Sequence, residues 1–288
     1  MNDRPRYSRS DLNDLKKMSR EEILDIFGSF DEKGLNEDAF VLKSAHLIDG
    51  NRVPGFAQAM ERGDPAGVSE SVLVACRGPL PETPARNPKT VGAADEVLRN
   101  RFTFYGEPHQ LPDDIDWDFN PGTRHWGMDL NRFTYLTTLT SAHLQTGDAR
   151  YARKAIDLML DWVTKCEIKR CFEGTPYVFG SYLNNTIHCS VWARCLETLI
   201  PTGNVRPVEL LRILKSIHDQ IGYLEVVTNG HAGNWPTIGC QGVVATLAAL
   251  PVFRDMDRFT SYFVKTLAVQ VEEQILPDGV QDELTPHY

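Results

Sequence analysis

The stretch LNRFTYLTTLTSAHLQTGDARYARKAIDLMLDWVTK, residues 130–165, decides the fold class of this chain. It holds no proline, and its one glycine, Gly147, separates two runs of helical periodicity. Residues 130–145 form the first run, Gly147 closes it, and Asp148 caps the second. In that second run Tyr151, Ala155, Met159, Trp162 and Val163 fall on one face. Two helices joined by so short a turn must fold back on each other as an αα-hairpin.

The same alternation recurs downstream. Residues 182–199 precede a run over 207–227 in which Leu210, Leu214, Ile217, Ile221 and Leu224 keep helical spacing. Residues 236–250 precede a run over 258–275 in which Phe259, Phe263, Leu267, Val271 and Ile275 do so. Three hairpins starting roughly 50 residues apart, without an accompanying sequence repeat, predict an α/α toroid rather than a regular solenoid. The fold class expected is therefore all-α: an incomplete α/α toroid built from helical hairpins, with an irregular N-terminal segment. The expected division is an irregular segment over residues 1–105, packed on the toroid, and the toroid itself over 106–288.

Short helical patterns at 20–27 and 55–62 interrupt the first segment, and GPLPETPARNP, residues 78–88, reads as a loop. FTFYGEPHQLPDDIDWDFNPGTR, residues 102–124, reads as an extended passage over the surface.

Of the 288 residues, 42% are hydrophobic and 24% charged, a balance that supports a sizeable core. A net charge of −9 gives no general attraction to nucleic acid or an anionic membrane, so neither is an expected partner. The most apolar run, residues 237–253, lacks charged side chains but holds Gly239, Gly242 and Pro251. It falls short of the ~20 residues that span a bilayer and predicts a buried core helix. The first twenty residues are polar and mixed in charge, which predicts a cytoplasmic chain, with a periplasmic location as the alternative. The six cysteines form no CxxC pair, and no His/Asp/Glu cluster has ligand spacing, so no metal and no cofactor are expected. Cys166 and Cys171 are near enough in sequence to bridge in an oxidising compartment, and Asn184-Asn185-Thr186 is a chance-level glycosylation triplet.

Four passages concentrate polar and aromatic residues at helix ends: HWGMDLNR (125–132), GSYLNN (180–185), HAGNW (231–235) and DGVQDELTPHY (278–288). In a toroid such ends gather at one rim. The order WxxDLNRF, TGDxxYA, GNW before a Gly-rich apolar helix, and PDGxxxELTPxY resembles the N-terminal domain of heparinase II/III-like polysaccharide lyases, from about residue 102 to 288.

The resemblance implies β-elimination at a uronic acid of an acidic polysaccharide such as heparan sulfate or alginate. In that reaction the C5 proton is lost, the adjacent carboxylate is neutralised and the 4-O-glycosidic bond breaks. It places Asn234 as the neutralising amide and Tyr288 as the acid for the leaving oxygen, and on some substrates also the base. A phenol of ordinary pKa about 10 needs cationic neighbours to act as a base, and His287, His231 and Arg132 are candidates. Where several relatives carry His after the Asn, this chain has Trp235, a stacking surface for a sugar ring, and His231 is placed to supply an imidazole. Trp126, Arg132, Asn131 and Glu283 complete the expected substrate-binding set. The resemblance also implies a C-terminal β-sandwich that completes the site and lies outside this sequence, hence weak catalysis from the chain alone.

Simpler roles stand beside these. Asn234 before Trp235-Pro236 suits a helix N-cap, Trp126 a core position, Arg132 an ion pair with Asp129, His188 a hydrogen-bonded core or rim position, and Glu283 a structural ion pair. Two other functions compete: a toroid glycoside hydrolase with Asp129 and Asp282 or Glu283 as paired carboxylates, and a non-catalytic glycan-binding fragment.

Overall fold

The structure, a computed structural model, describes residues 12–168, 172, 181–228 and 233–275. The N-terminal part is more ordered than expected. It contains helices α1 (Leu12–Leu15), α2 (Arg20–Phe27), α3 (Glu37–Ser44), α4 (Phe56–Glu61), α5 (Pro65–Ala75) and α6 (Pro88–Leu98). What look like breaks in the sequence are helix starts. Ser19 forms a capping box with Glu22, and the side chains of Asn36, Asp64 and Asn87 accept from the N–H groups of Ala39, Gly67 and Lys89. Pro65 and Pro88 occupy the first helical turn, where the missing N–H costs nothing. Pro88 thus ends the expected loop by opening α6.

The passage after α6 folds into a hairpin of β1 (Arg101–Phe104) and β2 (Glu107–Gln110). Phe104 pairs with Glu107, so Tyr105 and Gly106 alone make the turn, both left-handed with φ of 54° and 79°.

Helix α7 (Arg124–Arg132) ends where the sequence predicts a helix running on to residue 145. Phe133 adopts φ 58°, and α8 (Leu136–Thr146) starts in a new direction. Burial of the Phe133 ring accounts for the bend. Its centroid lies 5.0 Å from Trp117, 4.7 Å from His188 and 5.4 Å from Trp192, and the residue is fully buried.

From there the expected hairpins follow. Helix α8 turns at left-handed Gly147 into α9 (Ala149–Lys165), whose first turn is capped by the Asp148 carboxylate accepting from the Arg150 N–H. Helices α10 (Tyr182–Leu199) and α11 (Pro207–Val227) form the second hairpin, α12 (Asn234–Ala249) and α13 (Met256–Gln274) the third. Helix α12 lies against α10 so closely that a Cβ at Gly239 would stand 1.8 Å from the Tyr182 hydroxyl, and one at Gly242 2.7 Å from Thr186 Cγ2. The apolar run over 237–253, expected from the sequence to be a buried core helix, is buried on one side only. Gly239, Cys240, Val243 and Leu247 face the core, while Gln241, Ala245 and Ala248 are exposed. Among the described residues no helix is long and apolar enough to cross a membrane.

The N-terminal helices pack on α11. A Cβ at Gly222 would meet the Phe27 side chain at 2.8 Å, and Arg212 pairs with Glu32 at 3.1 Å. Helix α11 also buries charge. Lys215 and Asp219 pair at 2.7 Å, and His218 Nε2 lies 3.2 Å from Asp255, which with Glu225 also holds Arg258. Burial alone would raise the Asp255 pKa. The His218 hydrogen bond and the Arg258 charge outweigh it and hold the carboxyl well below its usual range. The described residues thus form an all-α fold of the α/α toroid type, with one small β-hairpin among them.

Candidate functional site

Helix ends gather as the toroid reading anticipates. Arg132, the last residue of α7, donates through Nη1 to Asp129 at 2.8 Å and through Nε to Asn184 Oδ1 at 3.2 Å. Asn184 lies in the first turn of α10, where Ser181 caps the helix by accepting from the Asn184 N–H and Asn185 donates to the Ser181 carbonyl.

Tyr182, at the same helix start, meets Thr228 at the end of α11 through a 3.2 Å hydroxyl contact. Its ring lies parallel to that of Trp235, with centroids 6.5 Å apart and planes 9° apart. Burial pushes the Tyr182 phenol pKa far up, so it stays protonated. Trp235 is 39% exposed, an indole seated on an aromatic base with part of its surface in solvent. The Gln274 amide at the end of α13 donates to the Gly233 carbonyl and holds the start of α12.

Asn234 is the first residue of α12. The capping position is taken by Gly233, with φ 67° and ψ −145°, a conformation that favours glycine. The amide therefore sits at the rim as the first helical residue rather than as the cap.

The hairpin tip adds a further layer. The Asp129 carboxylate beside the Tyr105 phenol, with some desolvation, raises the phenol pKa against the opposing influence of Arg132. The Tyr105 ring lies 6.1 Å from that of His125 at the start of α7. A chain of hydrogen bonds thus runs Asp129, Arg132, Asn184, with Tyr105 next to one end and Tyr182 and Trp235 beside the other. The N-terminal ends of α10 and α12, with their positive dipole ends, open on the same rim as Arg132. That arrangement offers hydrogen-bond donors and positive charge to an anion and an aromatic face to a ring.

Two expected site residues belong to the core instead. Trp126 is fully buried between Phe104, His109 and Phe119, and its indole donates to the Glu107 carbonyl at 3.0 Å. Asn131 is also buried. It accepts from the Trp162 indole at 3.0 Å and donates to the carbonyls of Trp117 at 2.8 Å and Gly127 at 3.0 Å. Both lie on the inner side of α7, whereas Asp129 and Arg132 are only partly buried. His188 takes a core position, with its pKa driven well below the usual value by burial. His231, Glu283 and Tyr288, with Asp282 and His287, lie outside the described residues. Cys76, Cys189, Cys195 and Cys240 are buried free thiols, while Cys171 lies outside the description.

Sequence reasoning placed Asn184 within the GSYLNN passage without a role of its own, and assigned none to Tyr105 or Gln274. The Tyr-Gly pair between two short apolar-polar alternations was the available signal for Tyr105. Gln274 carried none, because its partner Gly233 is 41 residues away in sequence.

The Heparinase II/III N-terminus family profile matches residues 86–288. Heparin-sulfate lyase of Pedobacter heparinus is 24% identical over 204 residues, covering 68% of this chain and 30% of its own length. That of Bacteroides stercoris is 23% identical over 216 residues, with 68% and 32% covered. Among solved structures, heparan sulfate lyase HepC from Pedobacter heparinus superposes with a TM-score of 0.72 at 20% identity, covering 86% of this chain and 42% of that one. A heparinase III gives 0.71 at 18% identity, with 85% and 40% covered. The chain spans about a third of the length of the curated relatives it matches. With the family's profile covering most of the sequence and its fold recurring here, the chain belongs to the heparinase II/III family by its N-terminal domain.

Proposed function

We propose that this chain contributes the helical side of the active site of a polysaccharide lyase, which cleaves a uronic-acid-containing acidic polysaccharide by β-elimination. The observation that carries the reading is Asn234 in the first turn of α12, beside the exposed Trp235 and on the same rim as Arg132. The relatives named heparin-sulfate lyases favour a sulfated uronate polymer as substrate.

The chemistry makes defined demands. Loss of the C5 proton pushes negative charge onto the uronate carboxylate, and a donor fixed at that position stabilises the transition state. The Asn234 amide supplies this donor, backed by the N-terminal dipole end of α12. The Tyr288 phenolate takes the C5 proton, the electron pair of the C5–H bond forms the C4–C5 double bond, the C4–O bond breaks, and the leaving oxygen takes a proton back from the phenol. Tyr288 is the donor assigned to that last step, and His231 and Glu283 are assigned to its surroundings. Trp235 stacks on a sugar ring and fixes its orientation.

Incubation with heparan sulfate, alginate and other uronate polymers, followed by ultraviolet absorbance, tests the reading. A new absorbing unsaturated uronide is the expected product, and Asn234→Ala and Tyr288→Phe each abolish it. Absence of that product from every polymer, or water incorporation without a double bond, overturns the proposal.

A further inference from the structure

We infer that Tyr105, at the tip of the β1–β2 hairpin, is a stacking platform for an outlying sugar ring of the polysaccharide, a substrate subsite separate from the Asn234–Trp235 region. The inference rests on the lyase reading and deepens it.

The turn itself is the first observation. A two-residue hairpin turn with both residues left-handed favours Asn-Gly or Gly-Gly, because bulky side chains are strained at positive φ. Here the first position holds a tyrosine at φ 54°. The fold would form more readily with asparagine, so the turn carries a strained residue that its own geometry disfavours.

The ring's placement is the second. Tyr105 is 67% exposed, although it neighbours an aromatic core that contains Phe102, Phe104 and Tyr135. Its ring adjoins that of His125, which is also exposed, and its phenol neighbours Asp129. An aromatic face is thus presented at the surface. The Asp129 carboxylate and His125 imidazole flank it as hydrogen-bonding groups for sugar hydroxyls.

Continuity is the third. Tyr105 neighbours Asp129, Asp129 pairs with Arg132, and Arg132 bonds Asn184 at the rim, so the platform adjoins the two hydrogen bonds that lead to the proposed catalytic side. Two exposed aromatic faces, Tyr105 and Trp235, with a guanidinium between them along this chain of contacts, suit an extended anionic chain of several sugars rather than a single ring.

Calorimetric titration of the protein with a heparan sulfate octasaccharide, together with thermal melts, tests the inference. Tyr105→Asn is expected to weaken the octasaccharide Kd by about tenfold while leaving Tm equal to or above the parent's. Tyr105→Phe, which keeps the ring, loses less affinity than Tyr105→Asn. A role confined to structure predicts the reverse: an Asn variant with lowered Tm and unaltered Kd. Either unaltered binding by Tyr105→Asn, or a loss of binding that tracks a falling Tm, overturns the inference. If Trp235→Ala and Arg132→Ala weaken binding while Tyr105→Asn does not, the platform fails and the lyase reading stands. If the parent protein does not bind the octasaccharide, both fall.

Discussion

The two sides of helix α7 (Arg124–Arg132) use neighbouring residues for opposite purposes. On the inner side Trp126 and Asn131 are buried, and every polar atom of the Asn131 amide is answered by an indole or a backbone carbonyl. On the outer side Asp129 and Arg132, each within three residues of one or the other in sequence, keep part of their surface in water and lie beside Tyr105 and Asn184. The difference teaches that polar residue type does not mark a site. A buried amide is satisfied by the fold and has nothing left for a ligand, whereas a rim guanidinium with five donors holds two protein partners and retains donors to spare.

This contrast breaks most visibly at Phe133, the left-handed residue that ends α7. Phe133→Ala is expected to cost about 3–5 kcal/mol in urea denaturation, because it empties a fully buried aromatic site. A cost below about 1 kcal/mol would mean that the bend between α7 and α8 is not set by that ring. Next comes Asn131→Leu, which strands the Trp162 indole N–H and the two carbonyls, at about 2–4 kcal/mol. If the variant melts like the parent, the inner side is not the polar knot described.

A third measurement sharpens the comparison by adding charge. The Asn131 knot is neutral, while the buried cluster on α11 and α13 is ionic, with the Asp255 carboxyl depressed by His218 and Arg258. A depressed carboxyl contributes stability that is present above its unfolded pKa of about 4 and lost as pH falls toward its folded value. Unfolding free energy should therefore fall with acidification below about pH 4, and Asp255→Asn should flatten that dependence. A variant with the parent's acid profile would remove Asp255 from the account.

The smallest stability effect belongs to the outer side. Arg132→Ala should cost about 1 kcal/mol, since its pair with Asp129 is only partly buried. Binding of uronate oligosaccharides should nevertheless weaken by tenfold or more, as titration would show. A large loss of stability with unaltered binding would place Arg132 with the core residues.

Much of the helical architecture was legible because it is written in local chemistry. The second hairpin begins and ends where its periodicity does, at Tyr182–Leu199 and Pro207–Val227, and Gly147 with Asp148 marks the first turn. The N-terminal helices were obscured by the same chemistry in a shorter form. Arg20–Phe27 and Phe56–Glu61 show as short helical patterns, but the caps and prolines that open Glu37–Ser44, Pro65–Ala75 and Pro88–Leu98 resemble loop signals. The Tyr105 turn was hidden for a related reason, since strands of four residues barely establish an alternation.

What the sequence determined by itself is the succession of helices from α8 onward, the Gly147–Asp148 turn, the family resemblance and the residues around Asn234, because periodicity and turn chemistry are set by neighbours along the chain. Only the tertiary structure decided which side of α7 is buried, that Phe133 turns inward, and that Arg132 meets Asn184 while Tyr182 meets Trp235. Those outcomes depend on which distant helix covers each face. Burial is a property of the whole packed molecule and not of any stretch of it.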